Sequence, residues 1–216
     1  VHNFRKPETY FALFAGFIKK KPVIMTTHNP FPVTIRGPIF SVLIKIYDWT
    51  MGPLFTRFFS KIITISPSEH EIFIKRFHVD PKRLVTVPNG IDPKMLEPGD
   101  KNRFLKENKI EIEKWKALVV GCGRIVEGKG FQNLLQAVTD MPDVLFYISG
   151  GNDGYLKKLK SIFFLHENII FNEKFIPPEK LVDLFAASDI FVMPSVYEPF
   201  GIVLLDRATL RLFSML

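Results

Sequence analysis

Cysteine is nearly missing from this chain of 216 residues, with Cys122 the only one. No disulfide can form within it, and that usage suits a reducing compartment. Cys122 has no His or second Cys near it in sequence, so it reads as a small packing residue, not a nucleophile. Long uninterrupted apolar runs are lacking too. The greasiest stretch, Gly37 to Ile65, is broken by Lys45, Asp48, Arg57 and Lys61 at helical spacing, which makes it amphipathic helix and not a membrane span. Acidic residues are scarce in the first part. Residues 1–95 hold 6 Asp+Glu against 14 Lys+Arg, a net of +8, while residues 96–216 hold 16 against 15. The whole excess of +7 therefore belongs to the N-terminal half. Such a surface fits an anionic membrane or an acidic acceptor. No nucleic-acid-binding motif accompanies the charge, so no nucleic-acid partner is expected. No short-period repeat is visible.

What is present is dominated by one stretch, Leu118 to Thr139. An apolar run, Ala117 to Val120, has the length and β-branching of a buried parallel strand. Glycines follow at 121, 123, 128 and 130, and an amphipathic helix begins near Phe131. Strand, glycine-rich turn and helix in that order make an anion site, because glycine lets backbone approach a ligand and a helix start presents N–H groups. Arg124 and Lys129 lie in the turn, and with backbone donors they suit a diphosphate better than a carboxylate. The turn is not a P-loop, since Lys129 is followed by Gly130 and Phe131. It also fails the G-x-G-x-x-G pattern, with Val126 at the third glycine position. Taken alone, it reads better as an ordinary tight strand-to-helix turn with two solvated cations than as a ligand site.

The rest of the chain alternates. Helices are expected over Thr9–Ile18, Ile39–Phe59 with a break near Gly52-Pro53, and Glu69–Phe77. Strands are expected over Val23–Thr27, Lys61–Ser66 and Val85–Val87. After the glycine turn come strands at 144–149, 169–172 and 190–194 and helices at 131–139, 154–164, 178–187 and from about Phe200. This order predicts an α/β fold with parallel sheets covered on both faces. Between the two runs proline, glycine and charge dominate, as in Pro98-Gly99-Asp100-Lys101. The division expected is a first lobe at 1–95, a linker at 96–116 and a second lobe at 117–216.

A second constellation, Pro194-Ser195-Val196-Tyr197-Glu198-Pro199-Phe200-Gly201, follows the apolar strand Ile190–Met193. It falls at the C-terminal edge of a strand, where open α/β sheets bind ligands. Asp206 comes eight residues after Glu198, so both acids can share a helix face. Glu198 by itself fits equally well as a helix-start acid favoured by the dipole.

Read together, several pieces resemble the family 4 type of retaining, GT-B-fold glycosyltransferases (glycosyl transferases group 1). They are Thr27-His28, Ile65-Ser66, Pro88-Asn89-Gly90-Ile91-Asp92, Gly123-Arg124 with Lys129-Gly130, Gly150-Gly151, and Pro194-Ser195 through Glu198-Pro199-Phe200-Gly201. The resemblance runs from about Pro22 to Asp206 and implies two Rossmann-like lobes. It implies that Arg124 and Lys129 hold the diphosphate of a nucleotide-sugar, with Gly123, Gly150 and Gly151 beside the donor. Glu198, with the backbone N–H groups of Phe200 and Gly201, would read the donor sugar hydroxyls. Asp206 stands where the family has a ribose-binding glutamate, one methylene longer. His28 would reach the transferred sugar from the first lobe. No Asp-x-Asp pair occurs, so no metal and no cofactor are expected beside the nucleotide-sugar co-substrate, and the cationic pair would offset the charge instead. A hexose would be transferred with retention to a lipid-linked, polysaccharide or small-molecule acceptor. The expected setting is the cytoplasm, peripheral at the inner face of an anionic membrane.

The resemblance also has gaps. The family's glycine-rich loop at the start of the first lobe is not here, nor is the Gly-x-Pro turn after the second acid. Both lobes are therefore expected to be incomplete, and a catalytically inactive fragment that at most binds nucleotide is the rival reading. A phosphorylase-like enzyme is a weaker one, because no segment singles out a lysine for pyridoxal phosphate. The run from Phe200 to Leu216 is apolar nearly all round a helix, and such a helix needs neighbours on every side.

Overall fold

The computed structural model describes residues 1–28, 38–90, 92–93, 97–151, 154–163, 166–174, 176–195 and 201. The chain divides into two compact units, Val1–Gly90 and Ile91–Leu216. Each holds an α/β arrangement whose strand pairings, among the described residues, are all parallel.

The first unit runs α1 (Pro7–Ile18), β1 (Ile24–Thr26), α2 (Pro38–Trp49), α3 (Met51–Thr56), β2 (Lys61–Thr64), α4 (Pro67–Lys75) and β3 (Leu84–Thr86). The strands lie in the order β1-β2-β3, with Met25 opposite Ile62 and Ile62 opposite Leu84. Parallel neighbours cannot be joined by a tight hairpin, so helical segments carry the chain between strands. The phenylalanines so frequent in the sequence fill part of this core. Phe4 meets Phe73 and Phe77 edge-on, with ring centroids 5.5 and 4.8 Å away. Asp48 is completely buried, and its carboxylate accepts from Arg5 at 2.8 and 2.6 Å and from Arg76 at 2.9 Å. Two guanidinium groups compensate the burial of that one charge.

The long helical stretch divides at Thr50, slightly before the expected Gly52-Pro53 break. The ring of Pro53 would strike the carbonyl of Trp49, four residues earlier, so α2 stops at Trp49 and Pro53 sits in the first turn of α3.

The second unit runs α5 (Lys101–Glu107), β4 (Ala117–Cys122), α6 (Phe131–Gln136), β5 (Val144–Ser149), α7 (Tyr155–Phe163), β6 (Ile169–Asn172), α8 (Pro178–Ala187) and β7 (Ile190–Phe191). The sheet order is β6-β5-β4-β7, so the direction of winding reverses beside β4. Side chains alternate along β4. Val119 joins Ile125, Phe131, Leu135, Ile148 and Leu159 on one face, while Leu118 and Val120 join Phe104, Leu105, Tyr147 and Leu184 on the other.

The stretch 96–116, expected as a linker, contributes α5 to this second core. Phe104 and Leu105 are buried in it, and Arg103 donates to both carboxylate oxygens of Asp183 at 2.6 Å. The expected strand at 190–194 pairs only over Ile190–Phe191. The N–H of Val192 still donates to Val120 at 2.8 Å, but Pro194 has no N–H with which to continue. Among the described residues, no helix is long and apolar enough to cross a membrane.

Candidate functional site

At the C-terminal edge of the second sheet the loops after β4 and β5 are knitted together by backbone. The N–H of Gly123 donates to Ser149 at 3.0 Å, that of Ile125 to Gly151 at 2.8 Å, and that of Gly150 to Asn172 at 3.2 Å. Gly123 and Gly150 both have φ near +150°. The segment after β7 closes on the same turn, because a Cβ on Gly130 (φ 70°) would lie 2.0 Å from the carbonyl oxygen of Pro194. Gly130 in this left-handed conformation caps α6, and Phe131 behind it is 1% exposed. Three strand ends thus share one compact set of turns.

The cations are displayed from that set. Ile125, fully buried, pins the turn into the core, and Arg124 beside it is exposed. A 3-10 turn at Glu127–Lys129 carries Lys129 in a half-buried position. Cys122 ends β4 with its side chain against the α5–α8 face, and burial pushes its thiol up to about 11. A thiol held there is protonated at neutral pH and is a poor nucleophile. The structure therefore brings Gly123, Arg124, Gly150 and Gly151 together on interlocked loops, with Lys129 one short turn further along. Gly201 is buried with φ 69°. Glu198, Phe200 and Asp206, and the apolar run to Leu216, lie outside the described residues. Among the described residues no group of three or more His, Cys, Asp or Glu is placed to hold a metal ion.

In the first unit, His28 lies two residues beyond the end of β1. Its Nε2 lies 3.3 Å from Nδ1 of His2, and the two rings stack with centroids 5.5 Å apart. Thr27 beside it is fully buried, and its hydroxyl donates to the carboxyl of Glu69, which is also fully buried. Glu69 accepts in addition from the N–H of Ile65 at 3.1 Å. Ser66 caps α4, accepting from the N–H of Glu69 at 3.3 Å. Neither His2 nor Glu69 stands out in the sequence as a site residue. For Glu69 a signal was there, since Ser66-Pro67-Ser68-Glu69 has the S-x-x-E spacing of a capping box. The short segment holding His2 gave none, as its pairing depends on register.

The family model "Glycosyl transferases group 1" matches residues 102–212, and "Glycosyltransferase Family 4" matches residues 1–95. A D-inositol 3-phosphate glycosyltransferase of Mycobacterium sp. (strain KMS) is 29% identical over 152 residues, covering 68% of this chain and 34% of that protein. A processive diacylglycerol alpha-glucosyltransferase of Acholeplasma laidlawii is 27% identical over 203 residues, covering 88% of this chain and 58% of its own length. The chain thus spans between about a third and three fifths of these relatives. Among solved structures, Anabaena Alr3699/HepE in complex with UDP and glucose matches with a TM-score of 0.75 at 20% identity, over 94% of this chain and 54% of that one. WaaG, a glycosyltransferase involved in lipopolysaccharide biosynthesis, matches with a TM-score of 0.63 at 18% identity, over 93% and 61%. At such identities the two structures speak for the fold, GT-B.

Proposed function

Because the chain belongs to the glycosyl transferases of group 1, we propose that it works on a nucleotide-diphosphate sugar, moving a hexose to an acceptor with retention of anomeric configuration. The observation that carries this reading is the interlocked glycine turns at the C-terminal edge of β4 and β5, from which Arg124 and Lys129 are displayed. A departing nucleoside diphosphate gathers negative charge, and a guanidinium and an ammonium fixed beside close-packed backbone offset it without a metal. The solved relative with UDP and glucose bound supports a donor of this class. In this reading His28 contacts the transferred sugar. Glu198 reads the sugar hydroxyls with the N–H groups of Phe200 and Gly201, and Asp206 lies toward the ribose. Retention follows either from attack on the face the phosphate leaves or through a short-lived oxocarbenium pair.

UDP, GDP and ADP provide the test. At about 100 times its Kd, the preferred nucleotide should raise stability by ~2.7 kcal/mol. Arg124→Ala and Lys129→Ala should each remove most of that gain, and a gain unchanged in both removes the phosphate site. Release of hexose from the matching nucleotide-sugar then tests the chemistry.

A peripheral contact with anionic membrane belongs to the same proposal. Phe11, Phe14 and Phe17 on α1 are 73%, 65% and 84% exposed, and Lys19, Lys20 and Lys21 follow them. Exposed aromatics beside ammonium groups suit an anionic lipid surface. Sedimentation with anionic vesicles should weaken as salt rises, and binding indifferent to salt would contradict it.

A further inference from the structure

Residues 1–3 run alongside β1. The N–H of Asn3 donates to Thr26 at 3.0 Å, the N–H of Thr26 donates to Val1 at 2.8 Å, and His2 forms a parallel bridge with Thr26. Residues opposite each other in such a pairing project to the same side, and so do residues two apart along one strand. His28 lies two beyond Thr26, so backbone register alone brings the rings of His2 and His28 to one face. Thr27 projects to the other. There the buried Glu69 holds its hydroxyl, and its N–H donates to Ile63 at 2.8 Å. The dipeptide Thr27-His28 is gripped from both sides.

We propose that His2 is a positioning residue for His28. The bond between Nδ1 of His2 and Nε2 of His28 occupies Nε2, ties the tautomer of His28 to that of His2, and leaves Nδ1 of His28 as the nitrogen offered to substrate. Two imidazoles bonded nitrogen to nitrogen need one donor and one acceptor, so the proton on one ring decides the other. A surface hydrogen bond between side chains contributes little by itself. Here the backbone bonds of residues 1–3 have already set the ring separation, so the bond needs little further ordering. The consequence for sugar transfer rests on the donor reading given above; the pairing of the rings does not.

Long-range 1H–15N correlation spectra of the whole chain at alkaline pH read each imidazole nitrogen. The Nε2 resonance of His28 is expected at a hydrogen-bonded position in the parent chain and shifted toward that of a solvated imidazole in His2→Phe. It should move back in His2→Asn, whose amide stands where Nδ1 stood and can donate to or accept from Nε2. Unchanged His28 nitrogens in His2→Phe overturn the proposal, with the backbone amides of β2 and β3 showing that the fold persists. His28→Asn reads the same bond from the His2 side and decides the matter if His2→Phe does not fold. With donor hydrolysis as readout, His2→Phe should lower kcat about tenfold or more while KM stays within about twofold. An unchanged kcat overturns the positioning. A parent chain that hydrolyses no donor removes the transferase reading alone, and the spectra then decide the role of His2.

Discussion

A methyl group on Gly150 would stand 1.7 Å from the carbonyl oxygen of Gly123. The two turns after β4 and β5 therefore close on each other with no room for a side chain, and the contact is backbone on backbone, which cannot swing aside. Gly150 also has φ 152°, a conformation that side chains strain. Gly150→Ala should lose about 3 kcal/mol or more in urea unfolding. Gly151 has nothing within 4 Å of its would-be Cβ, and Gly151→Ala should stay within about 0.5 kcal/mol of the parent. Equal losses at the two positions would refute the geometry.

Asp48 is the partner of two guanidinium groups in the first core. Asp48→Ala leaves Arg5 and Arg76 without their carboxylate, and a loss of about 3–5 kcal/mol is expected. Arg76→Ala should cost less, because its side chain is 35% exposed and Arg5 still pairs with Asp48. Chemical denaturation of the three chains checks the order.

The Arg103 guanidinium holds the Asp183 carboxyl below the usual carboxylate range, against the opposing effect of burial. The folded chain therefore binds this proton less readily than the unfolded chain, whose aspartates titrate near about 3.9. The stabilisation is present above that value and fades as pH falls through the lower folded one. Asp183→Asn should be less stable than the parent at neutral pH, and the gap should close in acid. A gap that widened with acidity would contradict the pairing.

Cys122 should alkylate slowly. A thiol pushed up to about 11 carries at pH 7 on the order of a hundredfold less thiolate than free cysteine. The iodoacetamide rate should rise about tenfold per pH unit between roughly 7 and 9. A rate equal to that of the urea-unfolded chain at neutral pH would show the thiol is not held as described.

The glycine turn, its strand and the start of its helix were legible because glycine spacing and an apolar run are local signals. The interlock between Gly123 and Gly150 was not, since it depends on which strands become neighbours. The stretch 96–116 read as a connection because Phe104-Leu105 is one apolar pair amid charge. Only Asp183, eighty residues later, shows which side of α5 faces inward. Thr27-His28 was found through its resemblance to a motif. The grip on it by His2 and Glu69 lay in register and burial. Glu198, Phe200 and Asp206 were read from the sequence and fall outside the described residues.

The packing of α5 on α8 also sets an order of events during synthesis. Arg103 leaves the ribosome 80 residues ahead of Asp183. At about 5–20 residues per second, that interval is roughly 4–16 s. Throughout it Phe104 and Leu105 have neither the finished sheet nor α8 to cover them. The nascent second unit therefore carries a sticky leading edge until its last helices emerge, which makes this edge a target for holding chaperones and the place where a stalled chain would aggregate.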